Sequence, residues 1–376
     1  MAAVIRNRGL RCGHAKAALE NDARRVLGLM PAARNGQRGR RMGQRNQVVD
    51  ALRAIAALWV CLYHFTGGIG IGSFGYLGVM IFFVISGFIV PYSMVRAGYV
   101  IAAWPRFMLK RLVRLEPPYL VSIIFLLALG IWDMHSGTPP AWTAMQIAGH
   151  LGYANAFLGL PWLNSVYWSL AVEFQFYLLM GLVLPLLLAG TPVRRLVGLG
   201  LVACLPLLSP TRSNATIFPF LSVFVAGILC FLRATNLLGR RSYWVALTVL
   251  TGIVFKKHDL GVALATAGTA VLLATVRIPR IAPVAWLGAI SYSLYLLHVP
   301  IGHRVISLII SRSGSGLIRI PTIIAALAAS IAGSALLYRA VEKPSLQLAA
   351  RIGYGATHSG APPRASAPRE RVSNFP

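Results

Sequence analysis

Val48-Val49-Asp50-Ala51-Leu52-Arg53-Ala54-Ile55-Ala56-Ala57-Leu58-Trp59-Val60-Cys61-Leu62-Tyr63-His64-Phe65 is an apolar run carrying an arginine and a histidine eleven residues apart. On a helix rising about 1.5 Å per residue, they stand roughly 16 Å apart along the axis. With Arg53 at one membrane face, His64 lies halfway across or deeper. A charged group there costs roughly 2.5–3.5 kcal/mol on insertion scales and usually faces a polar interior. The stretch therefore predicts a membrane protein that does polar chemistry inside the bilayer.

Composition agrees. The 376 residues are 57% hydrophobic and 12% charged, with a mean hydropathy of +0.68. Apolar runs recur to the end of the chain, which points to one polytopic unit and not to a soluble fold with an anchor. The net charge of +27 would suggest nucleic acid in a soluble protein. Here the basic residues sit in tails and short loops, so membrane orientation explains them and nucleic-acid binding is not expected. Cys12, Cys61, Cys204 and Cys230 show neither paired spacing nor a metal pattern.

The predicted fold is all-α, with about ten transmembrane helices near 48–66, 75–94, 117–133, 166–190, 196–210, 217–232, 243–256, 261–276, 284–302 and 320–341. The stretch 142–160 holds His150, Asn155 and three glycines, and is read as interfacial or re-entrant. With both termini cytoplasmic, the inner loops hold twelve Lys/Arg and the outer loops six, as the positive-inside rule requires. Three regions follow: 1–46, a basic disordered cytoplasmic arm able to touch anionic membrane lipid; 47–345, the membrane domain; and 346–376, a disordered cytoplasmic tail.

Three ionisable groups fall at similar depth toward the outer side. They are His64, Glu173 in Trp168-Ser169-Leu-Ala-Val-Glu173, and His298 in Ser291-Tyr292-Ser293-Leu-Tyr295-Leu-Leu-His298. Ser169 shares a helix face with Glu173, and Ser291 and Tyr295 share one with His298. A neutral histidine is suited to take a proton from a hydroxyl, and a carboxylate can fix its tautomer; the plain alternative is hydrogen-bonded helix contacts. On the inner side, Lys110, Arg111 and Arg114 precede Glu116-Pro117-Pro118. Such a cluster grips phosphates, or equally marks an inner face. Gly78-Val-Met80-Ile-Phe82-Phe83-Val-Ile-Ser86-Gly87-Phe88 has the small residues of close helix packing.

In this order these segments resemble the acyltransferase 3 family, integral-membrane enzymes that O-acylate glycans and other extracytoplasmic or membrane-associated acceptors. The resemblance covers residues 47–345, from Asp50-Ala-Leu-Arg53 and His64 through the segments above to Glu342-Lys343-Pro344. It implies that His64 is essential for acyl transfer, that Arg53, Arg111 and Arg114 hold the phosphates of an acyl-coenzyme A donor (Lys110 joining them), and that Glu173 is the family's carboxylate, here expected to orient His64. Asp50, Ser169, Tyr295 and His298 are expected around the same pocket. Met80 and Glu116 depart from the family pattern; Glu116 is expected to pair with Arg114. No metal is implied.

The expected function is transfer of an acyl group, on family grounds acetyl, to a glycan or glycolipid hydroxyl at a bacterial cytoplasmic membrane. The acceptor and the oligomeric state stay open. Many relatives carry a soluble hydrolase-like domain after the last span, and none is expected here. The rival reading is a proton-coupled transporter or flippase with His64 and Glu173 as a relay.

Overall fold

A computed structural model describes residues 36–134, 142–208, 216–313 and 320–354. Residues 1–35 and 355–376, which hold most of the two tails read from the sequence, lie outside the described residues. Among the described residues all regular structure is helical. The helices are α1 (Gly36–Phe65), α2 (Leu77–Arg96), α3 (Trp104–Met134), α4 (Ala144–His150), α5 (Tyr167–Ala189), α6 (Pro192–Leu208), α7 (Leu221–Ala234) and α8 (Arg240–Lys257). They continue with α9 (Leu260–Thr275), α10 (Ala282–Ala289), α11 (Ser291–Ser313), α12 (Ile320–Leu337), a π-helical turn (Tyr338–Glu342) and α13 (Lys343–Arg351).

Among the described residues, six segments are long and apolar enough to cross a bilayer: Gln47–Phe65, Gly72–Arg96, Ile101–Asp133, Tyr167–Ala189, Ser291–Arg312 and Ile320–Arg351. Phe218–Ala234 and Leu260–Thr275 are shorter apolar helices. With α6 and α8 they occupy all ten regions read as spans. In 142–160 only the seven residues of α4 are helical, about 10 Å of rise, too short for a helix that crosses a bilayer. Thr143 and Gln146 cap α4 reciprocally in a capping box.

Three boundaries differ from expectation. The third span starts at Ile101, and its helix α3 runs from Trp104 on through Pro117 and Pro118. Proline is compatible with helical φ and loses only a donor and some straightness, so Lys110, Arg111 and Arg114 lie within the helix. The ninth span breaks at Ile290, giving α10 and then α11. There α10 presses Gly288 onto α1 so closely that any Cβ would meet the carbonyl of Asp50. The last span runs past its expected end at 341 to Arg351, through the π turn, which sets Glu342 against α11.

The core forms where α2 packs on α7. At the crossing Gly87 meets the backbone at Phe224 and Gly227, and Gly227 meets the backbone at Val84 and Gly87. Gly78 likewise lets α2 reach the Ala56 carbonyl of α1. Around these contacts Phe83, Phe224 and Phe176 stack at centroid distances of 4.7 and 4.2 Å. Close approach at glycine holds α2, and with it Ser86, against the centre of the bundle.

Candidate active site

A cavity of about 340 Å³ lies between α1, α2, α3, α5, α11 and the π turn, within the range of small-ligand sites. Its wall on α2 is largely apolar, with Val79, Phe82, Ile85 and Ile89. That wall also presents Ser86, and the other walls bring together Arg53, Arg111 and Arg114 with Asp50, Glu173 and Glu342, and add Ser169, Ser291, Tyr177, Tyr292 and Tyr295.

The local helix geometry explains who meets whom. Arg111 and Arg114, three apart on α3, turn the same way. Arg111 is 7% exposed. Its guanidinium lies over the rings of Phe107 and Tyr177, 5.2 Å from each centroid, and its Nη2 donates to Ser93 Oγ at 3.0 Å. Its Nε is buried and has no hydrogen-bond partner. Arg53 donates from Nε to Ser291 Oγ at 3.1 Å.

The carboxylates bond to neutral groups. Glu173 Oε1 accepts from Ser86 Oγ at 2.5 Å and from Tyr177 Oη at 2.6 Å. Glu342 Oε2 accepts from Ser293 Oγ at 2.5 Å and from the Ser293 N–H at 3.2 Å. No guanidinium of the cavity comes within the 4.0 Å of a direct ion pair with any of its three carboxylates. Three cations thus share a buried space with their ion-pairing capacity unspent. Buried charge is costly unless compensated, and here Asp50, Glu173 and Glu342 offset the three arginines across the cavity without direct contact.

His64 stands elsewhere. It occupies the last turn of α1, is half-buried and does not line the cavity. Its ring is 5.2 Å from that of His298, 5.2 Å from Tyr63 and 6.5 Å from His303. Tyr295 joins the two regions. It lines the cavity, bonds Ser169 Oγ at 2.6 Å and donates to Val166 O at 3.2 Å, and its ring is 6.0 Å from His298. The order is cavity, Tyr295, His298, His64.

Of the residues singled out in the sequence, Asp50, Arg53, Arg111, Arg114, Ser169, Glu173 and Tyr295 line one cavity. His64 and His298 form a neighbouring pair. Glu173 was expected to orient His64, but its carboxylate is held by Ser86 and Tyr177. Lys110 is outside the cavity: its Nζ donates to Ile352 O at 3.2 Å and lies over the Tyr354 ring. Glu116, expected beside Arg114, accepts from Tyr153 Oη at 2.7 Å. Met80 is packed in the core at 5% exposure, as its apolar side chain requires.

Sequence reasoning did not assign Ser86, Tyr177, Glu342 or His303 to the site. Tyr177 had a usable signal, since it follows Glu173 by four residues on one helix face. Glu342 had another, as a carboxylate at the end of an apolar run.

Fold and site together define an integral-membrane protein whose helix bundle holds a cavity lined by three arginines and three carboxylates beside a histidine pair. Residues 46–339 match the acyltransferase 3 family, described as "Acyltransferase domain"; the chain belongs to this family and is an acyltransferase. Among curated proteins it is 25% identical over 311 residues to "Peptidoglycan O-acetyltransferase OatA" of Listeria monocytogenes, covering 67% of this chain and 49% of that protein. The chain thus spans about half the length of the Listeria relative. It is 29% identical over 293 residues to "Putative membrane-bound transacylase BcsY" of Komagataeibacter xylinus, covering 68% of this chain and 72% of that protein. No solved structure matches.

Proposed function

We propose that this protein is an acyl-coenzyme A-dependent O-acyltransferase, with acetyl as the acyl group and a glycan or glycolipid hydroxyl as acceptor. The observation that carries the donor is the cavity in which Arg53, Arg111 and Arg114 converge without ion pairs. Guanidinium groups match phosphate oxygens in bidentate geometry, and coenzyme A brings phosphates with a long thioester arm. Glu173 and Glu342, bonded to neutral donors, leave those guanidinium groups free. The printed names of the two relatives, an O-acetyltransferase acting on peptidoglycan and a transacylase, favour acyl transfer to a polymer hydroxyl.

With the N-terminus cytoplasmic, α1 rises from Arg53 to His64 by about 16 Å toward the outer face. The nucleotide end sits in the cavity, and the arm passes Phe82 and Tyr295 toward the histidine pair. The acceptor oxygen attacks the thioester carbonyl carbon and the C–S bond breaks. His64 takes the hydroxyl proton and returns it to the departing thiolate; an acyl-imidazole on His64 is the two-step variant. The coenzyme never has to cross the membrane.

The test is a thermal-unfolding titration of the detergent-purified chain with acetyl-coenzyme A, beside the Arg111→Ala/Arg114→Ala double variant. A ligand that binds only the folded state raises the midpoint by mass action. A saturable rise in the parent, lost in the variant, is expected. A folded parent with no rise overturns the donor assignment and turns attention to a transported substrate.

A further inference from the structure

His298 is fully buried, yet acyl transfer as derived above gives it nothing to do. Its Nδ1 lies 3.0 Å from the carbonyl oxygen of Leu294, one turn back on α11. A carbonyl only accepts, so Nδ1 carries the proton. The neutral ring then presents a bare lone pair at Nε2. That atom is closed to solvent and has no hydrogen-bond partner. A buried acceptor left unmet is destabilising, and native structures seldom keep one without a use.

The groups around the ring can be taken in turn. Phe65, at 6.2 Å, offers no donor. Tyr295 Oη is engaged with Ser169 and Val166. His303 spends its Nε2 on the backbone oxygen of His64, at 3.1 Å. His64 remains, with its ring centroid 5.2 Å from that of His298. Each ring nitrogen sits about 1.1 Å from its centroid, so with one nitrogen of each ring turned along the line between them the two approach to about 3 Å, hydrogen-bonding distance.

We propose that His298 is the positioning residue of His64. Its Nε2 accepts the ring N–H of His64, which fixes the His64 tautomer and turns the other, unprotonated nitrogen toward the acceptor hydroxyl. When His64 takes the hydroxyl proton, the N–H aimed at His298 stays in place, and no proton passes to His298. A neutral imidazole thus performs the orienting task that a carboxylate performs in hydrolase triads. This agrees with the engagement of Glu173 by Ser86 and Tyr177. The proposal rests on the assignment of His64 as the base in acyl transfer.

The experiment is solid-state nitrogen NMR on the full chain, labelled with ¹⁵N-histidine and reconstituted in lipid bilayers, with signals assigned from the resonance lost in each single-histidine variant. The unsubstituted protein should show His64 in one neutral tautomer, with a through-bond correlation to His298 Nε2. His298→Met, which lacks the acceptor, should give a tautomer mixture at His64. It should also lower coenzyme A release by native-lipid membranes at least tenfold in kcat, leaving the KM for acetyl-coenzyme A within twofold. His298→Gln supplies a carbonyl oxygen and should restore the single tautomer and most of the rate.

A mixed His64 tautomer in the unsubstituted protein, or no correlation to His298, overturns the proposal whether or not the methionine variant folds. So does a glutamine variant that behaves like methionine. Failure of the acyl-transfer reading shows separately, as an unsubstituted protein that neither binds acetyl-coenzyme A nor releases coenzyme A while the NMR result stands.

Discussion

At the scale of single residues, the distinction that matters is between sharing a depth and sharing a place. His64, Glu173 and His298 stood out because each breaks an apolar run, and their positions along the helices put them at similar heights. Height along an axis says nothing of which way a helix is turned about it. Glu173 faces Ser86 and the cavity, whereas His64 faces His298. The shared cavity position of the arginines was foreshadowed by charge, helical spacing and segment order together. Lys110 shared that charge, yet one residue of helical rotation, about 100°, sends it toward Ile352 and Tyr354. If His64 is the base, His64→Ala should lower transfer at least about a hundredfold, in line with the worth of general base catalysis. The acetyl-coenzyme A thermal shift should stay unchanged, because His64 does not line the cavity. Turnover at the parent rate in His64→Ala would remove the residue from the mechanism.

At the scale of elements, helix positions were readable from hydrophobic length, whereas their ends and breaks depended on contacts made in three dimensions. The Gly78/Ser86/Gly87 pattern did announce close packing, and both glycines sit at backbone-to-backbone crossings. The stretch after α3 was readable only as polar for its setting. Its structure shows why it holds a shape without spanning. His150 is fully buried and its Nε2 accepts the N–H of Leu163 at 3.1 Å, so Nδ1 carries the proton and donates to Tyr119 Oη at 2.8 Å. Burial pushes the imidazole down to about 4 from an ordinary 6.5. A histidine depressed in the folded state contributes stability that is present above its unfolded value and drains away as pH falls toward the folded one. Protonation at Nε2 also destroys the bond to Leu163. Amide exchange over 142–166 should therefore quicken as pH falls from 6.5 to 4, after correction for intrinsic rates. In His150→Gln that pH dependence should flatten. Exchange that is insensitive to pH across this window would show that His150 does not hold the segment.

At the scale of the whole molecule, the alternation of helices has a chemical consequence, since it sets the arginine cavity and the histidine pair at different heights in one bundle. Contacts between distant parts of the chain fit that alternation. Arg304 pairs with Asp133 at 2.7 Å, joining two segments assigned to the outer face. Arg53 bonds Ser291, and Glu342 bonds Ser293, among segments assigned toward the inner face. The bias of basic residues could suggest this orientation from the sequence; the pairing of particular ends could not be read there, because it requires knowing which helices are neighbours. If α1 climbs from the cytoplasm, the turn after it faces out and the turn between α5 and α6 faces in. Ile69, 76% exposed, and Thr191, also exposed, report on these two turns. In a background with Cys12, Cys61, Cys204 and Cys230 replaced by serine or alanine, Ile69→Cys should react with a membrane-impermeant maleimide on intact spheroplasts. Thr191→Cys should react only after lysis. The reverse pattern would put the arginine cavity nearer the outer face, where cytoplasmic coenzyme A could not reach it, and the donor assignment would fall with the topology.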